Sequence, residues 1–172
     1  MMQSYFDWAI AQAKAGRPFW LNVFFRRALP FNAPHGFRIV ELTASGAKVQ
    51  LPDRRKNRNH LKGIHACAMA TACEFSSGLG VLERFNMKDY RLIMYRLEVD
   101  YHRRAAPGPC VAQASISADL DAQIRSDLSE RDDKTSRFSM TSELRDTAGE
   151  LVATATVHWH VKAWEAVRFG KN

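Results

Sequence analysis

One carboxylate stands alone in the middle of the sequence. From Gly63 to Leu82 the chain is apolar or small, and Glu74 carries the only formal charge. A carboxylate in apolar surroundings is costly unless a partner satisfies it or a reaction uses it. Glu74 is therefore a candidate general base that activates water, or a candidate nucleophile. The alternative is a structural acid satisfied by backbone N–H groups or a tyrosine.

The residues before Glu74 predict hydrogen-bond donors. The apolar stretch favours a buried helix that begins near Asn59–Gly63 and ends near Gly78–Gly80. Its unpaired N–H groups and positive dipole end would suit an oxyanion, and Gly63 would let a ligand approach closely. His65 and Glu74, nine residues apart, lie about 180° around and about 13.5 Å along a helix. They cannot meet within one chain, so a site that uses both needs a second copy of the helix.

The spacing of these residues resembles that of the PaaI-like hotdog-fold acyl-CoA thioesterases. Asn59 lies six residues before His65, and Glu74 lies nine residues after it. In that family an Asn, a His-Gly-Gly at the helix start and an Asp or Glu in the helix keep this spacing. The chain departs from the family at Ala66 and Cys67, where the family has two glycines.

The resemblance implies a role for each residue. Glu74 would be the base or nucleophile, Asn59 would orient the water or the carbonyl, and His65 would hydrogen-bond the substrate. The backbone N–H groups of His65 and Ala66, beside Gly63, would form the oxyanion hole. The resemblance further implies an acyl-CoA or acyl-carrier-protein substrate, a homodimer or tetramer, and no cofactor or metal. From the residues alone, Asn59 could equally be a helix N-cap, and His65 a core or interface residue.

Several other functions compete with hydrolysis. A non-catalytic acyl-CoA or lipid-binding hotdog protein would keep a tunnel for the acyl chain but would have lost turnover, because Ala66 and Cys67 replace the two glycines of the family. His60 and Glu74 have a spacing also found in the hotdog dehydratases of fatty-acid synthesis, but the Pro-Gly-rich signature between them is absent, so dehydration is the weaker hypothesis. His158 and His160 share a strand face without a third ligand, which favours a sheet-surface role over zinc. Cys67 fits a small buried thiol better than a nucleophile.

The net charge of +7 indicates an anionic partner. Arg54, Arg55, Arg58 and Lys62 crowd the approach to the predicted helix. They are candidates for binding the phosphates of a carrier such as coenzyme A, and a solvated basic loop is the alternative. No nucleic-acid-binding motif is present, so we expect no nucleic-acid partner.

The pattern of elements predicts an α+β protein with the hotdog fold, in which an antiparallel sheet wraps around the long central helix. We expect two helices within residues 2–28, strands at 37–43 and 48–51, the central helix, and then four strands in a meander. The strand at 93–101 would place Ile93, Tyr95, Leu97, Val99 and Tyr101 on one face. We expect the charged segment Asp121–Lys134 to form an exposed loop or an extension of the flanking strands. Residues 1–35 would form a helical extension and residues 36–163 the hotdog core.

Length and composition fit one globular domain. The chain has 172 residues, of which 46% are hydrophobic. No apolar run reaches the roughly 18 residues that a membrane helix needs, and no signal peptide is evident. The aromatic segment around Phe19–Phe25 would pack on the domain or line an acyl tunnel, with a membrane surface as the less favoured alternative. Cys67 and Cys73 in the predicted buried helix favour reduced thiols and a cytoplasmic protein.

Overall fold

A computed structural model describes residues 2–167. The four α-helices of this part are α1 (Met2–Lys14), α2 (Phe19–Ala28), α3 (Ala66–Arg84) and α4 (Ala118–Glu130). The six strands are β1 (Arg38–Thr43), β2 (Gly46–Leu51), β3 (Tyr90–Tyr101), β4 (Cys110–Ser115), β5 (Thr135–Arg145) and β6 (Leu151–Ala163). Short 3₁₀ turns lie at Ala33–His35, Arg55–Asn57 and Trp164–Ala166.

The strands form one antiparallel sheet in the order β1-β2-β4-β5-β6-β3. The predicted meander is correct for β4, β5 and β6. It is wrong for β3, which pairs with β6 rather than with β4. The connection after β3 therefore passes β6 and β5 to reach β4, and β1 and β3 are left as the two edges of the sheet.

Helix α3 is the centre of the fold and contacts all six strands. Its predicted end near Gly78–Gly80 is wrong, because the helix continues to Arg84. These glycines serve close packing: a Cβ at Gly78 would lie 3.2 Å from the Trp159 ring, and one at Gly80 would lie 3.8 Å from the Gly46 Cα. The predicted start near Asn59–Gly63 is also wrong, since the first helical residue is Ala66.

The first two turns of α3 are not buried on every side. Ala66 and Cys67 are exposed, and Ala70 and Thr71 are half-buried. The prediction of a buried Cys67 is therefore wrong, whereas Cys73 is fully buried. A helix in the middle of the fold that keeps one small-residue face open is suited to close approach by another molecule.

The N-terminal helices form a hairpin that packs on β1, β2 and α3. Residues from all of these elements share one hydrophobic cluster. In it, Phe6, Phe24 and Phe25 contact one another, and Phe25 reaches the Phe75 ring of α3 with ring centroids 5.3 Å apart. The helical extension therefore covers one side of the central helix.

The segment predicted as the exposed loop Asp121–Lys134 is mostly helix, and the prediction is wrong. Helix α4 begins after Ser117, whose side chain accepts a hydrogen bond from the Leu120 N–H at 3.1 Å. Ile124 and Leu128, four residues apart, are buried against the core. A thin apolar stripe of this kind is enough to bury a helix whose other faces are charged.

Strand β3 carries a bulge at Tyr95, where its register with β6 shifts between Met94 and Arg96. The bulge inserts one extra residue into β3, so the side chains before it point to the opposite face of the sheet from that given by simple alternation. Ile93 therefore lies opposite His160 on the outer face, instead of sharing the face of Leu97 as the alternation predicted. None of the helices in residues 2–167 has the length and apolar character needed to cross a membrane.

Candidate functional site

Glu74 lies in the third turn of α3 with its carboxylate in an apolar cavity. Among the residues that the structure describes, this carboxylate has no hydrogen-bond or ion-pair partner. Burial raises the pKa of Glu74 from an ordinary value of 4.5 to about 7. Near neutral pH such a group is poised to accept or to release a proton.

The Glu74 cavity has a volume of about 510 Å³, which is typical of a small-molecule site. Its walls come from the loop after α2, from α3, and from β3 and β6. Nearly all of its lining side chains are apolar or aromatic; apart from Glu74 they are Phe25, Leu29, Pro30, Phe31, Asn32, Phe75, Gly78, Leu79, Leu82, Met87, Tyr90, Arg91, Leu92, Trp159 and Trp164. The cavity suits an apolar chain that ends at a reactive group beside the carboxylate.

His65 caps the N-terminus of α3. Its Nδ1 accepts a hydrogen bond from the Cys67 N–H at 3.0 Å, so the proton of the neutral ring lies on Nε2. The exposed Nε2–H is therefore left as a donor. The alternative prediction that Asn59 is the N-cap of this helix is therefore wrong, because the N-cap residue is His65.

Only one of the three predicted backbone donors is free. The His65 N–H donates to the Asn57 carbonyl at 2.7 Å, and the Gly63 N–H donates to Asn59 Oδ1 at 3.2 Å. The Ala66 N–H has no acceptor among the described residues. It points out of the first turn of α3, where the helix dipole favours negative charge.

Asn59 shapes the loop before α3. Its Oδ1 also accepts from the Leu61 N–H at 2.9 Å, and its own N–H donates to the Gly63 carbonyl at 2.8 Å. The bond to the Leu61 N–H is an Asx turn, which a short amide side chain forms readily. The Arg104 guanidinium lies over Gly63, 3.3 Å from where a Cβ would stand.

Two residues near this helix start were not identified from the sequence. Asn57 is almost fully buried, and its amide donates to the His35 and Pro52 carbonyls at 2.9 and 2.8 Å. Tyr101 of β3 donates its hydroxyl to the Ala66 carbonyl at 2.9 Å. The strand alternation predicts that Tyr101 shares a face with the apolar residues Leu97 and Val99, which was an available signal, but nothing in the sequence distinguishes Asn57 from other polar loop residues.

The site residues form two groups that do not meet within one chain. Asn59, His65 and Ala66 lie at the start of α3, and Glu74 lies eight residues beyond Ala66, which is about 12 Å along the helix. The exposed face of the first turns separates the donors from the Glu74 cavity. A single chain therefore presents one carboxylate and one free N–H donor at different places.

The basic residues before α3 are divided among different contacts. Arg58 pairs with Asp53 through two hydrogen bonds of 2.6 and 3.0 Å. This pairing lowers the pKa of Asp53, chiefly through the Arg58 hydrogen bonds. The Arg54 guanidinium lies against Gly36 in a separate cavity. Arg55 and Lys62 are exposed.

The two histidines of β6 have structural partners. His158 Nε2 lies 2.7 Å from a carboxylate oxygen of Glu98, and His160 Nε2 lies 2.9 Å from the Thr135 hydroxyl. Within residues 2–167 no group of three His, Cys, Asp or Glu side chains could hold a metal ion. His60 is exposed in the loop before α3.

Solved structures with the same fold include proteins described as thioesterases. A protein from Pseudomonas aeruginosa, described as a probable thioesterase, is 22% identical with a TM-score of 0.74, over 85% of this chain and 96% of that chain. A thioesterase enzyme from Staphylococcus aureus is 12% identical with a TM-score of 0.63, over 77% and 98% of the two chains. A Chlorobaculum tepidum protein of unknown function is 12% identical with a TM-score of 0.72, over 84% and 96%. These likenesses confirm the predicted hotdog fold.

Sequence comparison identifies the family. No curated protein gives a significant match. The model of the family described as Domain of unknown function (DUF4442) matches residues 19–161, from the second N-terminal helix to the last strand. Because this match covers most of the chain, the protein belongs to the DUF4442 family, and its fold is the hotdog fold.

Proposed function

We propose that this protein hydrolyses the thioester of an acyl-CoA or acyl-carrier-protein substrate. The observation that carries the proposal is the Glu74 carboxylate, which has no partner within residues 2–167 and lies in an apolar cavity with its pKa raised to about 7. The acyl chain would occupy the cavity. Glu74 would take a proton from the attacking water, and the thiol of the carrier would leave.

The second half of the site would come from a partner chain in a homodimer. The free Ala66 N–H of that chain would donate to the oxyanion, and its His65 Nε2–H would bind the substrate. Asn59 would act by holding the loop that carries these donors. Arg55 and Lys62, exposed beside this loop, would contact the carrier phosphates, whereas Arg58 is held by Asp53.

The first test removes the proposed base. In Glu74→Gln we expect hydrolysis of a panel of acyl-CoAs to fall by at least about a hundredfold, because general base catalysis contributes that much. Release of free thiol is the measurement. The matched control is Glu83→Gln on the same helix, whose carboxylate pairs with Lys14 and Arg84 outside the cavity. Equal rates in Glu74→Gln and the native protein would remove Glu74 from the mechanism.

The second test asks whether the site is shared. Ala66→Pro deletes the free N–H at the first helical position, where proline is tolerated, and His65 before it is already extended with φ −71° and ψ 138°. We expect each of Ala66→Pro and Glu74→Gln to be inactive alone. After unfolding and refolding together they should recover about a quarter of native activity, since half of the dimers would carry one intact site.

The control for Ala66→Pro is Ala66→Gly, which keeps the N–H and should retain activity. No recovery in the mixture, with both variants folded and dimeric, would show that the site does not span two chains.

A specific observation favours a second function, binding of acyl-CoA without turnover. Of the predicted backbone donors only the Ala66 N–H lacks an acceptor within residues 2–167, because the His65 N–H donates to Asn57 and the Gly63 N–H to Asn59. The next N–H along the helix, that of Cys67, is also occupied, by His65 Nδ1. An oxyanion held by a single N–H is less stabilised than one held by two. Calorimetric binding of an acyl-CoA that releases no thiol would identify the protein as a binding protein. The three free cysteines fit a reducing compartment under either function, which supports the cytoplasm as the proposed location.

A further inference from the structure

A second cavity lies beside the Glu74 cavity and takes no part in the proposed hydrolysis. It has a volume of about 500 Å³ and is lined by α2, the loop that follows it, the start of β1 and the basic loop before α3. Phe25, Asn32 and Phe75 line both cavities, so a shared wall separates them. The volume is sufficient for a small-molecule ligand.

The charges around this second cavity are all positive. Arg26 lies in the last turn of α2, Arg38 begins β1, and Arg54 precedes the 3₁₀ turn, and all three line the cavity. None of the three has an ion-pair partner among the residues that the structure describes, and no carboxylate is found among the lining residues. Guanidinium groups from three separate elements, without a counter-charge, favour an anion with oxygen acceptors.

The position of Arg54 depends on Gly36. Its Nη1 lies 2.3 Å from where a Cβ at Gly36 would stand, so any side chain at this position would displace the guanidinium. Gly36 has φ +67°, a conformation that glycine adopts without strain. The turn therefore leaves room for Arg54 at the cavity, while the nearby Arg58 is tied to Asp53 instead.

Apart from these arginines, Asn22 and Asn32, the second cavity is lined by apolar residues. Besides Phe25 and Phe75, its walls include Phe19, Val23 and Phe37. We propose that this cavity binds an anionic amphiphile, with a carboxylate or phosphate held by Arg26, Arg38 and Arg54 and its apolar body against the phenylalanines. The proposal goes beyond the proposed function, because binding here requires neither Glu74 nor hydrolysis.

The test is calorimetric titration of the full chain with decanoate and decyl phosphate, below their micelle concentrations. In Arg26→Gln/Arg54→Gln we expect affinity to fall by at least about tenfold, since hydrogen bonds to charged groups contribute that much. The matched control is Arg17→Gln/Arg27→Gln, which removes the same charge from two arginines that, although exposed like Arg26 and Arg54, do not line the cavity. It should change affinity by less than about twofold, because charges that make no direct contact with the ligand act only through salt-screened long-range attraction.

The two ligands distinguish the sources of the anion: tighter binding of decyl phosphate would indicate a phosphorylated lipid, and tighter binding of decanoate a free fatty acid. Decanol and decyltrimethylammonium should bind more weakly than either. Equal losses in the two arginine pairs, equal binding of decanol, or no binding of both anions would overturn the proposal. Each of these outcomes is independent of thioester hydrolysis, so failure here leaves the test of Glu74 intact.

Discussion

At the scale of single residues, the burial of the Glu74 carboxylate opposes the ionised form that its proposed role as a base requires. A base must be deprotonated to accept a proton, whereas burial in an apolar cavity favours the protonated form. The pKa of about 7 is the outcome of that burial. No hydrogen bond from the described residues offsets the cost of ionising it.

The pH dependence of hydrolysis follows from this pKa. We expect kcat/KM to fall about tenfold for each pH unit below about 7, as Glu74 becomes protonated, and to level off above it. Initial rates of thiol release from pH 5 to pH 9 measure the profile. A profile that is flat through pH 7, with the protein folded throughout, would contradict the role of Glu74 as base.

The same pKa predicts how stability depends on pH. Below pH 4.5 Glu74 is protonated in both the folded and unfolded chains, so it carries no penalty. As pH rises towards 7 only the unfolded chain releases the proton, and the folded state loses about 3 kcal/mol relative to the unfolded one.

Glu74→Gln removes this penalty. It should raise the free energy of unfolding at pH 8 by up to about 3 kcal/mol and leave it nearly unchanged at pH 4. Urea unfolding at the two pH values provides the measurement. Glu83→Gln is again the control, and we expect it to destabilise because it removes the carboxylate that pairs with Lys14 and Arg84. A destabilised Glu74→Gln at pH 8 would mean that the carboxylate has a structural partner.

At the scale of elements, the sequence predicts those helices and strands that show a regular hydrophobic periodicity. The six strands and the two N-terminal helices come from alternation and from the break at Gly16–Pro18. The exact ends of α3 cannot be predicted in this way. Gly78 and Gly80 are residues typical of a helix end, but here they allow close packing against the sheet. The bulge at Tyr95 is likewise a property of strand pairing, which is not visible in one strand alone.

Helix α4 was missed because its charged residues are as many as its apolar ones, and only a narrow apolar stripe marks its buried face. Ile124 is fully buried, although only Leu120 and Leu128 extend the same stripe. We expect Ile124→Ala to lower the free energy of unfolding by about 2–5 kcal/mol, the usual cost of truncating a buried isoleucine. The exposed Gln123→Ala on the same helix is the control and should be nearly neutral. An equally small effect of both, measured by urea unfolding, would show that this segment is not packed.

The candidate site shows the same division between pattern and tertiary contact. The isolation of Glu74 in an apolar run and the spacing to His65 and Asn59 could be seen in the sequence. The hydrogen bonds that occupy the His65 N–H, with the Asn57 carbonyl, and the Cys67 N–H, with His65 Nδ1, could not be predicted from the sequence. Both depend on how the loop before α3 folds back.

At the scale of the whole molecule, the proposed shared site requires a partner at the β3 edge. This edge strand exposes Ile93, Met94, Tyr95 and Tyr101, and its Tyr101 contacts the exposed start of α3 by donating to the Ala66 carbonyl. We expect light scattering to give a mass about twice the 19.5 kDa of one chain. A tetramer would be a pair of such dimers.

A charge at the β3 edge should weaken this assembly. Met94 is 38% exposed, and Met94→Glu would place a carboxylate where a partner strand would bury it. The control is Val40→Glu on the opposite edge strand β1, at a residue that is 43% exposed. Sedimentation velocity should show monomers for Met94→Glu and dimers for Val40→Glu. The reverse result would place the interface at β1.

The uneven exposure of the cysteines offers a way to measure this assembly in the native chain. Cys73 and Cys110 are buried, and burial raises the pKa of each thiol to about 11, whereas Cys67 is exposed in the first turn of α3. Maleimides react with thiolates, so a spin label should attach at Cys67 without any mutation. Two such labels, one on each copy, would act as a spectroscopic ruler across the proposed twofold axis, and their separation would report how closely the two α3 starts approach each other.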